Sequence, residues 1–286
     1  MSDVPGGPGL PPPPAVSGGP SGGLPPKTLG QILSQAFDIY RANAAKLLTI
    51  VAVVVVPLSL IGAIFTGVIF EPEVDVRSGQ VVVGVEDLGR SFVGYLFVGA
   101  IGGLIAILIA AALQAATARA AALAVIGDPV DVQTSYRYGF RRLGSVILIS
   151  LLVGVIVAVG FLLLIVPGII FLVFLSVSIP ALIVENRRGT DALGRSWNLV
   201  QGEFWHALGV VFVAAILVGI VSGIIGSIGG NEWVIRWIFT AIAQILTAPY
   251  AALVSILLYL DLRARKEALS AATLRQELAS GIEPSS

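Results

Sequence analysis

The chain is 286 residues long, 56% hydrophobic and 12% charged, with a mean hydropathy of +0.96 and a formal net charge of zero. Soluble domains are about 25% charged, so too few polar side chains exist to cover a water-soluble particle, and a membrane protein is expected. Balanced charge without a basic block argues against a nucleic-acid partner; the absence of cysteine excludes thiolate metal sites, and a single histidine, His206, removes most metal and acid–base arrangements.

Residues 1–26 are Pro, Gly, Ser and small side chains, with Asp3 the one charge. A basic n-region followed by an apolar h-region, the mark of a secretory signal, is not present there, so the first spanning helix is expected to act as the insertion signal. Prolines 11–14 favour polyproline II locally, while Gly-Gly pairs break any longer rod. A disordered tail is the expectation, and docking to a proline-reading partner the alternative.

Residues 27–46 read as an amphipathic helix with Leu29, Ile32, Leu33, Ala36, Phe37 and Tyr40 on one face and Gln31, Gln35, Asp38 and Arg41 around it. Residues 47–70 carry no charge over more than the roughly 20 residues that span a bilayer, and Pro57 is expected to interrupt that span. The acidic stretch 71–90 reads as the longest external loop. A second span is placed at 92–115, with Gln114 and Arg119 marking its emergence and the Ala-rich residues 116–125 projecting beyond it as a helix. Residues 128–143 repeat the amphipathic pattern, with Val132, Tyr136, Phe140 and Leu143 on a stripe accompanied by Arg137, Arg141 and Arg142.

Two apolar runs follow, 146–166 and 169–184, joined at Pro167-Gly168, a turn signal. A tight helical hairpin is expected, with a re-entrant pair as the alternative. In the third amphipathic segment, 185–205, Leu193, Trp197, Val200 and Phe204 form one stripe, Thr190 or Asp191 is placed to cap the helix, and Asp191 and Arg195 stand at the i, i+4 spacing of an ion pair. Residues 206–230 and 237–260 are the last two spans, around a short turn bearing Trp233 and Trp237. The membrane domain thus covers 27–265, and 266–286 form a charged tail.

With six spans both termini share one side. That side holds Lys27, Arg41, Lys46, Arg119, Arg137, Arg141, Arg142, Arg187, Arg188, Arg195, Arg263, Arg265, Lys266 and Arg275; the other holds only Arg77, Arg90 and Arg236. Basic residues stay in the cytoplasm, so cytoplasmic termini are expected. The expected fold is all-α: six transmembrane helices with cytoplasmic interfacial amphipathic helices.

Three units overlay, each an interfacial helix, an outward span and a return. Phe37, Tyr136 and Trp197 take matching places, and the returns end alike in AALAVIGDPVD (121–131), PALIVENRRGTD (180–191) and AALVSILLYLD (251–261). Three helix-hairpin repeats are one reading; chance recurrence of a common pattern is the other. The runs LGQILSQAFDIYRANAAKLLTIVAVVVVPLSL (29–60), LLLIVPGIIF (162–171) and PALIVENRRGTDALGRSWNLVQGEFW (180–205) resemble the bacterial membrane domain found fused ahead of some glycerophosphoryl diester phosphodiesterases and also occurring alone. The resemblance implies a stand-alone member without the soluble catalytic barrel, in the bacterial cytoplasmic membrane.

No Ser/His/Asp set, phosphate loop or metal cluster is spelled out, so no catalytic, cofactor-binding or metal residues are expected. His206 reads as an interface residue without an identifiable partner. The expected membrane-interface anchors are Phe37, Tyr40, Arg41, Tyr136, Arg137, Arg141, Arg187, Arg188, Arg195, Trp197 and Trp205, and membrane lipids are the expected partners. Gly99 and Gly103, then Gly219 and Gly223, mark small-residue faces for internal packing, with a homo-oligomer or an unidentified membrane partner as the alternative. A non-enzymatic accessory, scaffold or lipid-associated role is the leading expectation. A passive or facilitative transporter of a small solute or lipid is the alternative, with Arg119 and Gln244 as its candidate polar residues; Arg119 is expected to snorkel to the interface.

Overall fold

In a chain this apolar, backbone hydrogen bonds must be closed within each segment, which favours helices wherever the chain meets lipid. The computed structural model describes residues 25–69, 113–128, 132–185, 187, 190–229, 233–267 and 269–280, and the regular elements among them are helices. They are α1 (Leu29–Ile69), α2 (Leu113–Ile126), α3 (Val132–Leu163), α4 (Ile165–Phe174), α5 (Ser178–Val184), α6 (Asp191–Val200), α7 (Phe204–Ile228), α8 (Trp233–Glu267) and α9 (Ala271–Ser280). Among the described residues, five stretches are long and apolar enough to cross a membrane: Leu29–Pro57, Gly144–Leu163, Ile165–Val184, Phe204–Ile228 and Val234–Glu267. The expected tail, the loop at 71–90 and most of the span at 92–115 lie outside the described residues.

α1 lies along α8, α7 pairs with α8, and α3 folds back on α4. The Ala-rich segment does not project, contrary to expectation. Ala115, Ala116, Ala120 and Ala121 of α2 are fully buried, and Arg119 among them is 1% exposed rather than snorkelled. Methyl side chains let neighbouring helices approach α2 from several sides.

The helix breaks also fall elsewhere than expected. Both α1 and α8 run through Pro57 and Pro249, and the non-helical residue within α1 is Asn43 (φ −117°, ψ 15°), whose amide donates to the Ile39 carbonyl at 3.2 Å. Asn43 therefore interrupts the helical geometry within the Leu29–Pro57 stretch, which takes in most of the segment expected at 27–46 to be an interfacial lead-in. The α3–α4 turn is made by extended Leu164 (φ −164°, ψ 156°), three residues before Pro167. Pro167 sits in the first turn of α4, where no intrahelical donor is required. Gly168 is used for the crossing: a Cβ there would lie 2.5 Å from the Phe161 ring, and one on Gly160 would lie 2.9 Å from the Gly168 Cα.

Between α4 and α5 the span is broken at residues 175–177, and serines account for the freed carbonyls. Val173 O accepts from Ser176 Oγ (2.8 Å), Phe174 O from Ser196 Oγ (2.7 Å), Leu175 O from Ser178 Oγ (2.8 Å) and Ser176 O from Ser255 Oγ (3.3 Å). Hydroxyls from α5, α6 and α8 thus satisfy a break that hydrocarbon cannot. Pro180, the third residue of α5, follows the same first-turn rule as Pro167.

Candidate functional site

The face at which Lys27, α6 and the end of α8 meet carries the densest polar chemistry among the described residues. It is built on α6, whose sequence is apolar on one side only. Its buried residues are Ala192, Ser196, Leu199 and Val200, with Trp197 38% exposed. The buried face is therefore rotated by one residue from the Leu193–Trp197–Val200 stripe, because Ser196 turns inward to the Phe174 carbonyl. Trp197 lies at the rim, stacked on Phe174 with ring centroids 4.1 Å apart. The helix ends at Gln201, and Gly202 takes a positive φ of 90° that suits glycine. Lys266 from α8 closes the open carbonyl end, its ammonium donating to the carbonyls of Asn198 and Gln201, the latter at 2.6 Å. No side-chain cap is made at Thr190.

Glu185, at the end of α5, is the first hub. Its carboxylate accepts from Arg195 Nε at 2.7 Å, from the Tyr259 hydroxyl at 2.6 Å and from Arg187. Arg195 also pairs with Glu267, so it turns away from the Asp191 partner that its spacing suggested. Arg263 completes the group, with Nε 3.0 Å from Glu267 and a two-pronged contact to Glu277 of α9 at 2.6 and 3.0 Å. Burial alone would push the Glu185 carboxyl up, but the Tyr259 hydroxyl and the Arg187 and Arg195 guanidinium groups outweigh it and hold it below its usual range. The Arg195 guanidinium loses charge preference to burial, yet Glu267 and Glu185 more than restore it.

Asp261 is the second hub, and its side chain is fully buried. It accepts the backbone N–H of Lys27 and Arg265 Nε at 2.8 Å, and lies 2.9 Å from His206 Nε2. Arg265 then donates to the Lys27 carbonyl at 2.7 Å. The residue expected to lack a partner thus has one. Burial lowers the Lys27 ammonium, with Asp261 opposing the shift.

The other expected anchors are dispersed. Phe37 is 51% exposed beneath the Arg41 guanidinium, 5.9 Å from the ring centroid, Tyr40 is half-buried and Trp205 is 80% exposed. Arg137 and Arg187 are exposed; the side chains of Tyr136, Arg141 and Arg188 lie outside the described residues. Gln244 is exposed whereas Arg119 is buried. Added Cβ atoms at Gly219 and Gly223 would meet open space, so that face is not used for internal packing among the described residues. Tyr259, Arg263, Glu267 and Glu277 escaped sequence reasoning. The signal was present in the i, i+4 series Tyr259–Arg263–Glu267, which lines one face of α8.

Deeper in the spans, an open crevice of about 240 Å³ lies between the 175–177 break, α7 and α8, lined by Ser176, Val211, Ala215, Val218, Ala251 and Leu258 among others. Among the described residues no group of three or more His, Asp or Glu is placed to hold a metal ion. Comparison with family models, curated protein sequences and solved structures gives no match to the chain.

Proposed function

We propose that the chain is a six-span, non-enzymatic protein of the bacterial cytoplasmic membrane, with both termini cytoplasmic and an accessory, lipid-associated role in organising the envelope. One observation carries this reading. The side chains best suited to chemistry, namely Glu185, Arg195, His206, Asp261, Arg263 and Glu267, are engaged with one another in holding α6 and the start of α1 onto the ends of the spans. The layer presents aromatic rims outward, Trp197 and Trp205 near α6 and Phe37 on α1, where headgroup-level rings belong.

The threefold pattern fits the same reading. Buried Ala36 followed by exposed Phe37 matches buried Ser196 followed by exposed Trp197. An acid near the end of one unit bonds at the lead-in of another: Glu185 bonds Arg195 of α6, and Asp261, at the end of the third unit, bonds the residue two before α1 in the first. The resemblance to the stand-alone membrane domain adds to this support.

Purified protein in liposomes tests the role. Association with anionic lipid and no selective solute flux is the expected outcome. A second reading, facilitated transport, draws on Arg119, an ionisable side chain buried in α2, since buried ionisable groups of membrane proteins are often functional. Substrate-specific flux lost in Arg119→Gln with the fold intact would favour it and displace the first. A reporter fused after Ser286 is expected to read cytoplasmic.

A further inference from the structure

We propose that α9 is a charge-operated clasp: its Glu277 occupies a guanidinium fork on Arg263 that otherwise takes a phosphate group, so docking of α9 and binding of phosphate exclude one another. The Arg263 side chain is 7% exposed, and its Nη1 and Nη2 donate to the two Glu277 carboxylate oxygens at 2.6 and 3.0 Å. Two parallel N–H donors in that fixed geometry suit a phosphate as well as a carboxylate. Arg263 also stands about one helical turn before the end of the membrane-crossing stretch Val234–Glu267. In the membrane reading above, that is the level at which headgroup phosphates lie.

The remaining attachments of α9 are slight. Its 10 residues fall short of the roughly 12–15 at which an isolated helix holds in water, so α9 depends on being docked. Leu274 is buried, whereas Ala272, Thr273, Arg275 and Gln276 are exposed. Arg275 reaches the Ile126 carbonyl, at the end of α2, only at 3.5 Å. The Ser270 cap on the Thr273 amide, at 3.1 Å, is internal to the segment and attaches it to nothing. Charge makes the fork decisive. Among the described residues, Arg187, Arg195 and Arg263 are joined to Glu185, Glu267 and Glu277 by a chain of ion pairs. Departure of α9 removes one carboxylate and leaves a desolvated guanidinium charge uncompensated, a costly state unless another anion enters. The Glu267 and Glu277 side chains are 32% and 26% exposed, so the fork is open to a small anion along the edge where Glu277 arrives.

The test follows the thermal midpoint of full-length Glu277→Gln in phosphatidylcholine nanodiscs, relative to the unaltered chain. Loss of the carboxylate should lower the midpoint by a few degrees. Inorganic phosphate should restore it, and chloride at matched ionic strength, which only screens, should not. Phosphatidylglycerol nanodiscs without added phosphate form the second arm, again relative to the unaltered chain. Restoration there alone assigns the phosphate to a lipid headgroup, restoration by inorganic phosphate alone to a soluble ligand, and restoration in both arms to either source. A midpoint that does not fall, a fall that neither arm restores, or equal restoration by chloride would overturn the clasp, because a merely structural ion pair gains nothing from phosphate. If Glu277→Gln does not assemble, hydrogen exchange in the unaltered chain decides. Phosphate or phosphatidylglycerol should speed exchange of the 271–280 amides about tenfold, the equivalent of one charge-assisted hydrogen bond, while α7 stays unchanged. Unaltered exchange in α9 would sink the proposal. These readouts are separate from the solute-flux test of the role proposed above, so the two fail independently.

Discussion

Glu185 joins three elements through one carboxylate, and its loss is expected to be felt in all of them. Removing one member of a buried ion-pair group costs on the order of 3 kcal/mol, because the charges left behind stay desolvated. Glu185→Gln should therefore lower the thermal midpoint in detergent, and Arg187→Gln, whose side chain is 43% exposed, should barely move it. The pH dependence has a defined sign. The folded carboxyl titrates below its ordinary value of 4.5. Its stabilising contribution is thus fully present above about pH 4.5 and is lost as pH falls through the lower folded value. A midpoint measured against pH should drop on acidification more steeply for the unaltered chain than for Glu185→Gln. At the second hub, Asp261→Asn weakens the acceptor for the Lys27 amide, His206 and Arg265 together. The region around Lys27 should then be cut faster by protease while the spans stay protected.

At the scale of elements, the glycines separate into two kinds. Gly160 and Gly168 permit the α3–α4 crossing, where an added Cβ meets atoms within 2.9 Å. Gly168→Leu should cost at least the 1–3 kcal/mol typical of overpacking and lower the yield of folded protein. Gly219→Leu, facing open space, should leave yield and midpoint nearly unchanged. Identical chemistry at two helical glycines gives opposite outcomes, which a midpoint comparison reads directly. These elements also mark how far the sequence could be read. Apolar length located four of the five candidate spans among the described residues, the first falling at Leu29–Pro57 and not at 47–70, and apolar periodicity located α6 and the first half of α1, because both follow from burial against one medium or one face. Partner choice escaped it: Arg195 pairs with Glu267, 72 residues away, instead of the nearby Asp191. The Pro167-Gly168 turn was misplaced for a related reason. Proline is tolerated in a helical first turn and glycine serves close approach as well as bending, so the pair announces a hairpin without fixing its vertex. No local signal announced the break at 175–177 either, since its serines come from three separate elements.

At the scale of the molecule, α1 and α8 lie side by side, and Lys27 is bonded to Asp261 across 234 residues of chain. A ribosome adding about 5–20 residues per second needs on the order of 10–50 seconds to make that interval. For all that time α1, with its buried Ile32 and Ala36, lacks the α8 neighbour that makes most of its contacts. Assembly is therefore a waiting problem. The earliest helix must be sheltered by lipid or by the insertion machinery until α8 arrives, and any chain interrupted before Asp261 releases a product whose opening segment has nowhere to dock.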